Sequence, residues 1–375
     1  MHEPIRVLHV VGRMDRRGIE TFIMNIYRKI DRTKVQFDFL CHYGREADYN
    51  DEIRRLGGRI YEMPTIKSEN KVYYKQTINY IKALNSFFKI HRYKIIHGHM
   101  TNTAILYMPI AKKYGAKTLI AHSHLSKSKK GLMGHITNII QKPISKLATN
   151  YFACSISAAE WLFTKSILQS GKVKLINNSI DVEKFRYNEK IRNEVRRKLN
   201  LNDELIIGHV GRFYHEKNHE FLIDLLNRFK EEDKNVKLLL VGDGPLKENI
   251  VKKSYELGLS ENVIFLGNRS DVNDVMQAFD VFVMPSFFEG LPVVTVEAQA
   301  SGLPCVFSNT ITGEANITNK SVYLSLSEDL KVWTNTIDDI FLKHVRKDTS
   351  EIISNKGYNV LDNSLWLQNF YMKNI

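Results

Sequence analysis

A strand, a glycine-bearing loop and a helix follow one another at the start of this chain and again near residue 205, and this repeated order restricts the fold more than any other feature. Ile5-Arg-Val-Leu-His-Val-Val11 has the apolar content of a buried strand, and Gly12 to Glu20 forms a loop containing Gly18. Phe22, Ile23, Ile26, Tyr27 and Ile30 then recur at helical spacing. The alternation predicts further strands at 35–40, 59–62, 94–97, 117–121, 150–155 and 173–176, with helices over 51–56, 73–90 and about 102–113. Asn177 to Phe185 is turn-rich and reads as a joining segment. The pattern restarts at Leu205-Ile-Ile-Gly-His-Val-Gly211, with a helix running to about Phe229 and strands at 236–241, 263–267, 280–284 and 305–308. A last helix after Gly357 has Leu361, Leu365, Trp366 and Phe370 as its apolar side. Strands alternating with helices imply parallel sheets covered on both faces, with ligands beyond the carboxyl ends of the strands. The expectation is an α/β chain of two Rossmann-like doubly wound domains, 1–182 and 183–357.

A length of 375 residues suits two cores rather than one. No run of eighteen apolar residues proposes a membrane-spanning helix, and the first residues lack the basic and apolar regions of a signal peptide. Cys41, Cys154 and Cys305 lie far apart at the ends of apolar runs, as buried thiols in a reducing cytoplasm would. Residues 1–182 hold 30 Lys+Arg against 13 Asp+Glu, a balance of +17, whereas residues 183–375 hold 24 against 28, a balance of −4. Such asymmetry points to one domain meeting an anionic surface. No nucleic-acid-binding motif accompanies the charge, so an acidic membrane is the better partner.

The richest stretch for chemistry is Ser286 to Pro304. Pro292 suits the first position of a helix, because its fixed φ matches the first turn. Glu289 then lies in the preceding loop and Glu297 about five residues into the helix, from where its side chain tilts back toward the loop. Two acids would flank a helix start whose unpaired N–H groups can hold phosphate or hydroxyl oxygens. Arg212 and Lys217 follow the strand that ends at Gly211, and two cations so placed ask for an anion between them, such as a diphosphate. Against this, Lys217 has a simpler reading as a first-turn helix residue, and the glutamates as solvated side chains. Gly242 and Gly244 read first as a tight turn without a ligand.

His97, His99, His122 and His124 stand at the carboxyl ends of two strands of the first domain. Zinc is the weaker reading, since no carboxylate or cysteine stands at ligand spacing beside them. Ser126 to Lys142 combines Lys127, Lys129 and Lys130 with an apolar stripe. It reads equally as a segment lying on an anionic bilayer or as a helix packed on its own sheet.

Six motifs in order along the chain carry a resemblance. They are Gly18-Ile-Glu20, His122-Ser-His124, Asn178-Ser-Ile-Asp181, Gly211-Arg-Phe-Tyr-His-Glu-Lys217, Gly242-Asp-Gly-Pro245 and Glu289 with Glu297. In these the chain resembles the retaining family 4 glycosyltransferases of GT-B fold, especially those that build capsular and exopolysaccharides. The resemblance implies two domains facing a central cleft, with the helix of about 358–375 returning to the N-terminal, acceptor-side domain and the second domain binding the donor. It implies that Arg212 and Lys217 hold the donor diphosphate and stabilise the departing nucleotide. Glu289 would contact the donor sugar, assisted by backbone amides near Gly290 and Leu291, and Glu297 the ribose. Gly18 would let its loop approach the phosphates, and His124 would lie beside the reacting sugar, with His122, Lys127, Lys129 and Lys130 on the acceptor or membrane side.

No metal or other cofactor is implied. The partners would be a nucleotide-diphosphate sugar, UDP-linked by preference, and a lipid-linked or membrane-proximal glycan, at the inner face of the membrane. Arg17-Gly18 departs from the double glycine common in such loops, Asn178-Ser179 from a frequent Asn-Gly, and Asn309 from a frequent Asp. A nucleotide-sugar epimerase on the same fold and a non-catalytic membrane- or glycan-binding module are the competing readings. A dinucleotide-binding dehydrogenase is disfavoured, because Gly12 and Gly18 are six residues apart and form no G-x-G-x-x-G.

Overall fold

A computed structural model describes residues 3–42, 46–64, 73–101, 103–124 and 143–375, without the side chains of 73–75. It divides into two compact units, Met1–Ser179 with Val360–Ile375, and Ile180–Asn359. The first holds a seven-stranded sheet of β1 (Ile5–Val11), β2 (Val35–Cys41), β3 (Ile60–Glu62), β4 (Ile95–Gly98), β5 (Thr118–Ser123), β6 (Asn150–Ala153) and β7 (Val173–Leu175). Their order is β3-β2-β1-β4-β5-β6-β7. The second holds β8 (Leu205–Val210), β9 (Val236–Val241), β10 (Val263–Gly267), β11 (Val281–Met284), β12 (Cys305–Ser308) and β13 (Val322–Leu324), in the order β10-β9-β8-β11-β12-β13. Every strand pair is parallel. In each sheet the chain winds outward one way and then the other, so the order reverses beside β1 and beside β8. At such switch points the loops part and leave room for a ligand.

Both faces of each sheet are buried, which explains the near-continuous apolar strands. On β1, Leu8 and Val10 join one core while Val7 and Val11 join the other. On β8, Ile207 and Ile206 divide in the same way. Cys41, Cys154 and Cys305 are all buried and none is disulfide-bonded. Among the described residues no helix is long and apolar enough to cross a membrane.

Several expectations are corrected. The closing helix, Val360–Lys373, buries Val360, Ser364, Leu367, Gln368 and Tyr371, while Leu361 and Leu365 are exposed and Trp366 and Phe370 are half-buried. Two polar residues disguise the inner face, and one of them ties the helix to the rest of its unit, since Gln368 Oε1 accepts from the Asp31 N–H at 2.9 Å. Pro292 stands one position before the helix Val293–Ala300, with an extended ψ of 129°. β13 and the helix Glu189–Lys198 are additional elements. The first is a three-residue strand and the second is almost wholly polar. Its Arg192 and Arg196 instead clamp Asp280 at 2.6 and 3.2 Å, and Asp280 accepts from the Ile206 N–H. Lys127, Lys129, Lys130 and the rest of Ser126 to Lys142 lie outside the described residues.

Candidate active site

In the second unit, the loops after β8 and β11 stand on either side of the switch point and are tied to each other. Asn218 Nδ2 donates to the Pro285 carbonyl at 3.1 Å, and the Phe287 N–H donates to the Glu216 carbonyl at 2.9 Å. The His215 and Phe287 rings stack with centroids 4.9 Å apart. Asn218 takes a left-handed φ of 56°, which turns the short 3-10 segment His215–Lys217 into the helix His219–Glu231. Lys217 therefore precedes that helix rather than lying in its first turn. Its Nζ meets Glu289 Oε1 at 2.6 Å, with each side chain 19% exposed. The structure thus pairs two residues that the sequence reading assigned to different parts of one ligand.

Gly290 and Leu291 follow Glu289, and the helix Val293–Ala300 begins just beyond. Its first-turn N–H groups at Val293 and Val294 have no intrahelical acceptor, which makes this end attractive to anions. Glu297 lies on the same helix, partly buried, and burial pushes its carboxyl up to about 7. No hydrogen bond or ion pair reaches that carboxyl from the described residues, so it is free for donors from a ligand. Arg212 is exposed, with its guanidinium 4.6 Å from the Tyr214 ring centre and donating to the Tyr214 hydroxyl at 3.0 Å. Gly242 has a φ of +136°, and a Cβ there would stand 2.1 Å from the Gly211 carbonyl. The glycine turn after β9 is therefore demanded by the packing of the β8 loop.

In the first unit, Gly18 opens the helix Gly18–Lys29, and a Cβ at that position would meet nothing within 4 Å. Glu20 beside it is buried, which pushes its carboxyl up to about 6 against the pull of Arg17. His122 and His124, at the end of β5, join His97, His99 and His9, the last a residue that sequence reasoning missed. Period-two alternation puts all five on the sheet face that also carries Val7, Val11 and Ile120.

Ring nitrogens of the five make two chains. Tyr371 Oη lies 2.6 Å from His97 Nδ1, and His97 Nε2 lies 3.0 Å from His122 Nδ1. His9 Nδ1 lies 3.0 Å from His99 Nε2, and His99 Nδ1 lies 2.9 Å from His124 Nε2. Burial lowers all five pKa values, His9 and His124 to about 3, so the rings are neutral. In two groups, His9 with His97 and His99, and His99 with His122 and His124, one nitrogen of each ring lies within 4.8 Å of the others. Those distances permit a metal, yet both nitrogens of His97 and His99 are already engaged with neighbouring rings or Tyr371. The signal for His9 was its place two residues before the end of β1, where it pairs in register with His97.

Comparison with known proteins places the chain. The family profile described as Glycosyltransferase Family 4 matches residues 16–184, and that described as Glycosyl transferases group 1 matches residues 191–359. EpsF of Bacillus subtilis (strain 168) is 37% identical over 98% of this chain and 96% of its own length. An Escherichia coli enzyme named UDP-Gal:alpha-D-GlcNAc-diphosphoundecaprenol alpha-1,3-galactosyltransferase is 24% identical over 96% of this chain and 95% of its own. Among solved structures, Anabaena HepE in complex with UDP superposes with a TM-score of 0.74 at 17% identity, covering 99% of this chain and all of HepE.

Proposed function

The chain belongs to the family 4 glycosyltransferases of GT-B fold, and from that premise we propose that it moves a sugar, with retention at the anomeric carbon, from a UDP-sugar to a lipid-linked glycan acceptor. The observation that carries this reading is the Lys217–Glu289 pair at the switch point of the second sheet, next to a helix start and a carboxyl with no partner among the described residues.

In this reading the donor's diphosphate takes the helix start, Lys217 and Arg212. As the bond from the anomeric carbon to the diphosphate oxygen breaks, negative charge grows on the leaving group, and fixed cations with helical N–H groups stabilise it without reorganising. Lys217 holds Glu289 at 2.6 Å, which keeps that carboxylate aimed until the donor sugar's hydroxyls replace part of the contact. Glu297 accepts from the ribose hydroxyls. In the first unit, Gly18, with open space at its Cβ position, and His124 keep the roles that the family resemblance implies, toward the phosphates and the reacting sugar. All of this uses protein groups alone, with no resident metal. The UDP preference rests on the E. coli relative's name and the UDP of HepE, and the lipid-linked acceptor on that relative's diphosphoundecaprenol. A peripheral place at the inner membrane face rests on the +17 balance of residues 1–182.

A thermal-shift series across UDP-, GDP- and ADP-sugars tests the donor. A true donor at 100 times its dissociation constant stabilises by about 2.7 kcal/mol, so the UDP series should stand apart. Equal shifts across the three bases would remove the preference. Product analysis separates transfer, which releases UDP, from epimerisation, which leaves a nucleotide sugar intact.

A further inference from the structure

The proposed transfer involves His124 alone, yet four buried imidazoles, the half-buried His124 and a buried phenol are linked in two chains. We propose that Tyr371, His97, His9 and His99 are positioning residues that fix the tautomers of the two histidines ending β5, so that His122 carries its proton on Nε2 and His124 offers a bare lone pair at Nδ1.

The first chain has an anchor. Tyr371 is fully buried, and burial raises its pKa well above the usual phenol range, so the hydroxyl keeps its proton. His97 Nδ1, at 2.6 Å, is the hydroxyl's only partner among the described residues. A buried O–H with one partner donates to it, because an orphaned donor costs about 1–3 kcal/mol. His97 Nδ1 is then bare, its proton lies on Nε2, and that N–H donates to His122 Nδ1. His122 is left with its own proton on Nε2, a nitrogen without a partner among the described residues.

The second chain is settled by counting protons. Three neutral rings carry three N–H groups, and two of these fill the His9–His99 and His99–His124 contacts. The third therefore sits on His9 Nε2 or on His124 Nδ1, never on both, and each of these nitrogens lacks a partner among the described residues. The intrinsic preference of neutral histidine decides between them. With the third proton on His9 all three rings are Nε2–H, the tautomer that a neutral histidine side chain favours, whereas with it on His124 all three would be Nδ1–H. The proton stays on His9, so His99 donates to His9, His124 donates to His99, and His124 Nδ1 is bare.

His122 is fully buried and His124 half-buried, with its Nδ1 itself covered, so a hydroxyl meets that nitrogen only by displacing what covers it. An imidazole held as an acceptor selects a hydroxyl, as on a sugar, and rejects a carbonyl or phosphate oxygen. The inference thus deepens the assignment of His124 to the sugar site and rests on it for its consequence, though not for the tautomers.

Nitrogen-15 spectra of the histidine side chains in the full-length protein test it directly. Wild type should show a protonated Nε2 and a bare Nδ1 in all five rings. His9→Phe removes the acceptor for His99, so the His99 proton should move to Nδ1 and drive His124 to Nδ1–H. In that variant kcat should fall at least about tenfold, with the UDP-sugar KM changed less than about twofold. His9→Asn, whose Oδ1 can replace the lost acceptor, should restore both. Tyr371→Phe, nearly isosteric, should scramble His97 and His122 alone, and it carries the test if His9→Phe does not fold. A proton on Nδ1 of His124 in wild type, a His124 unmoved by His9→Phe, or a nitrogen shift abolished by a chelator would overturn the proposal. Tautomers as expected together with full transfer by His124→Ala would support the proposal and remove the sugar-contact role of His124 instead.

Discussion

Glu297 has a folded-state pKa of about 7, raised by burial above its ordinary 4.5. Between those values the native protein holds a proton that the unfolded chain has released, so stability falls as pH rises through the window. Glu297→Gln should therefore gain in melting temperature over wild type as pH is raised from about 5 to about 8, with the two alike at the acid end. Ribose hydroxyls donating to the carboxyl favour its ionised form. Affinity for UDP-glucose, whose diphosphate diester does not titrate near neutrality, should accordingly rise with pH through about 7 and become flat in Glu297→Gln. A flat wild-type profile would detach Glu297 from the ribose. The Lys217–Glu289 pair makes a different claim, that the two act as one unit. Lys217→Met and Glu289→Gln should each lower kcat by about 10²–10³, and the double variant should lose little more than the worse single one. Full additivity in steady-state rates would mean that the 2.6 Å contact has no part in catalysis.

Among the elements, the turn after β9 and the closing helix give stability predictions, and the helix gives two of opposite size. Gly242→Ala sets a Cβ 2.1 Å from the Gly211 carbonyl at a φ of +136°, and should cost about 2 kcal/mol or more in denaturant unfolding. On the closing helix Leu367→Ala should cost about 2–4 kcal/mol, whereas Leu365→Ala, at a site 58% exposed, should stay within about 0.5 kcal/mol. That contrast also marks how far the sequence could be read. Twelve strands were legible because an apolar run bounded by glycine or polar turns is a strong signal; β13, no shorter than β3 or β7, went unread. The closing helix was legible as a helix and not in its orientation, since Ser364 and Gln368 face inward while Leu361 and Leu365 face water. Likewise the i, i+2 spacing set His97 with His99 and His122 with His124 on one face each. Nothing in the spacing told that His9 and Tyr371, 274 residues from His97, would complete the network. The ion pair of Lys217 with Glu289 was equally hidden, because the left-handed Asn218 that aims the first loop has no marker in the sequence.

At the scale of the whole molecule, the charge asymmetry supplies the membrane prediction. Neutralising Lys127, Lys129 and Lys130 should weaken binding to anionic vesicles by about 1 kcal/mol per lysine near the surface. Unchanged vesicle binding in a flotation assay would remove that role from the segment. The more central claim is that the donor site of the second unit performs retaining transfer onto a lipid-linked sugar. The direct measurement is proton NMR of the products when the full-length enzyme meets a UDP-sugar and a GlcNAc-diphospholipid. Stoichiometric UDP release and a new glycosidic bond with the donor's own anomeric configuration are expected, both abolished in Glu289→Ala. An inverted linkage, an epimerised UDP-sugar without UDP release, or unimpaired transfer by Glu289→Ala would contradict that claim.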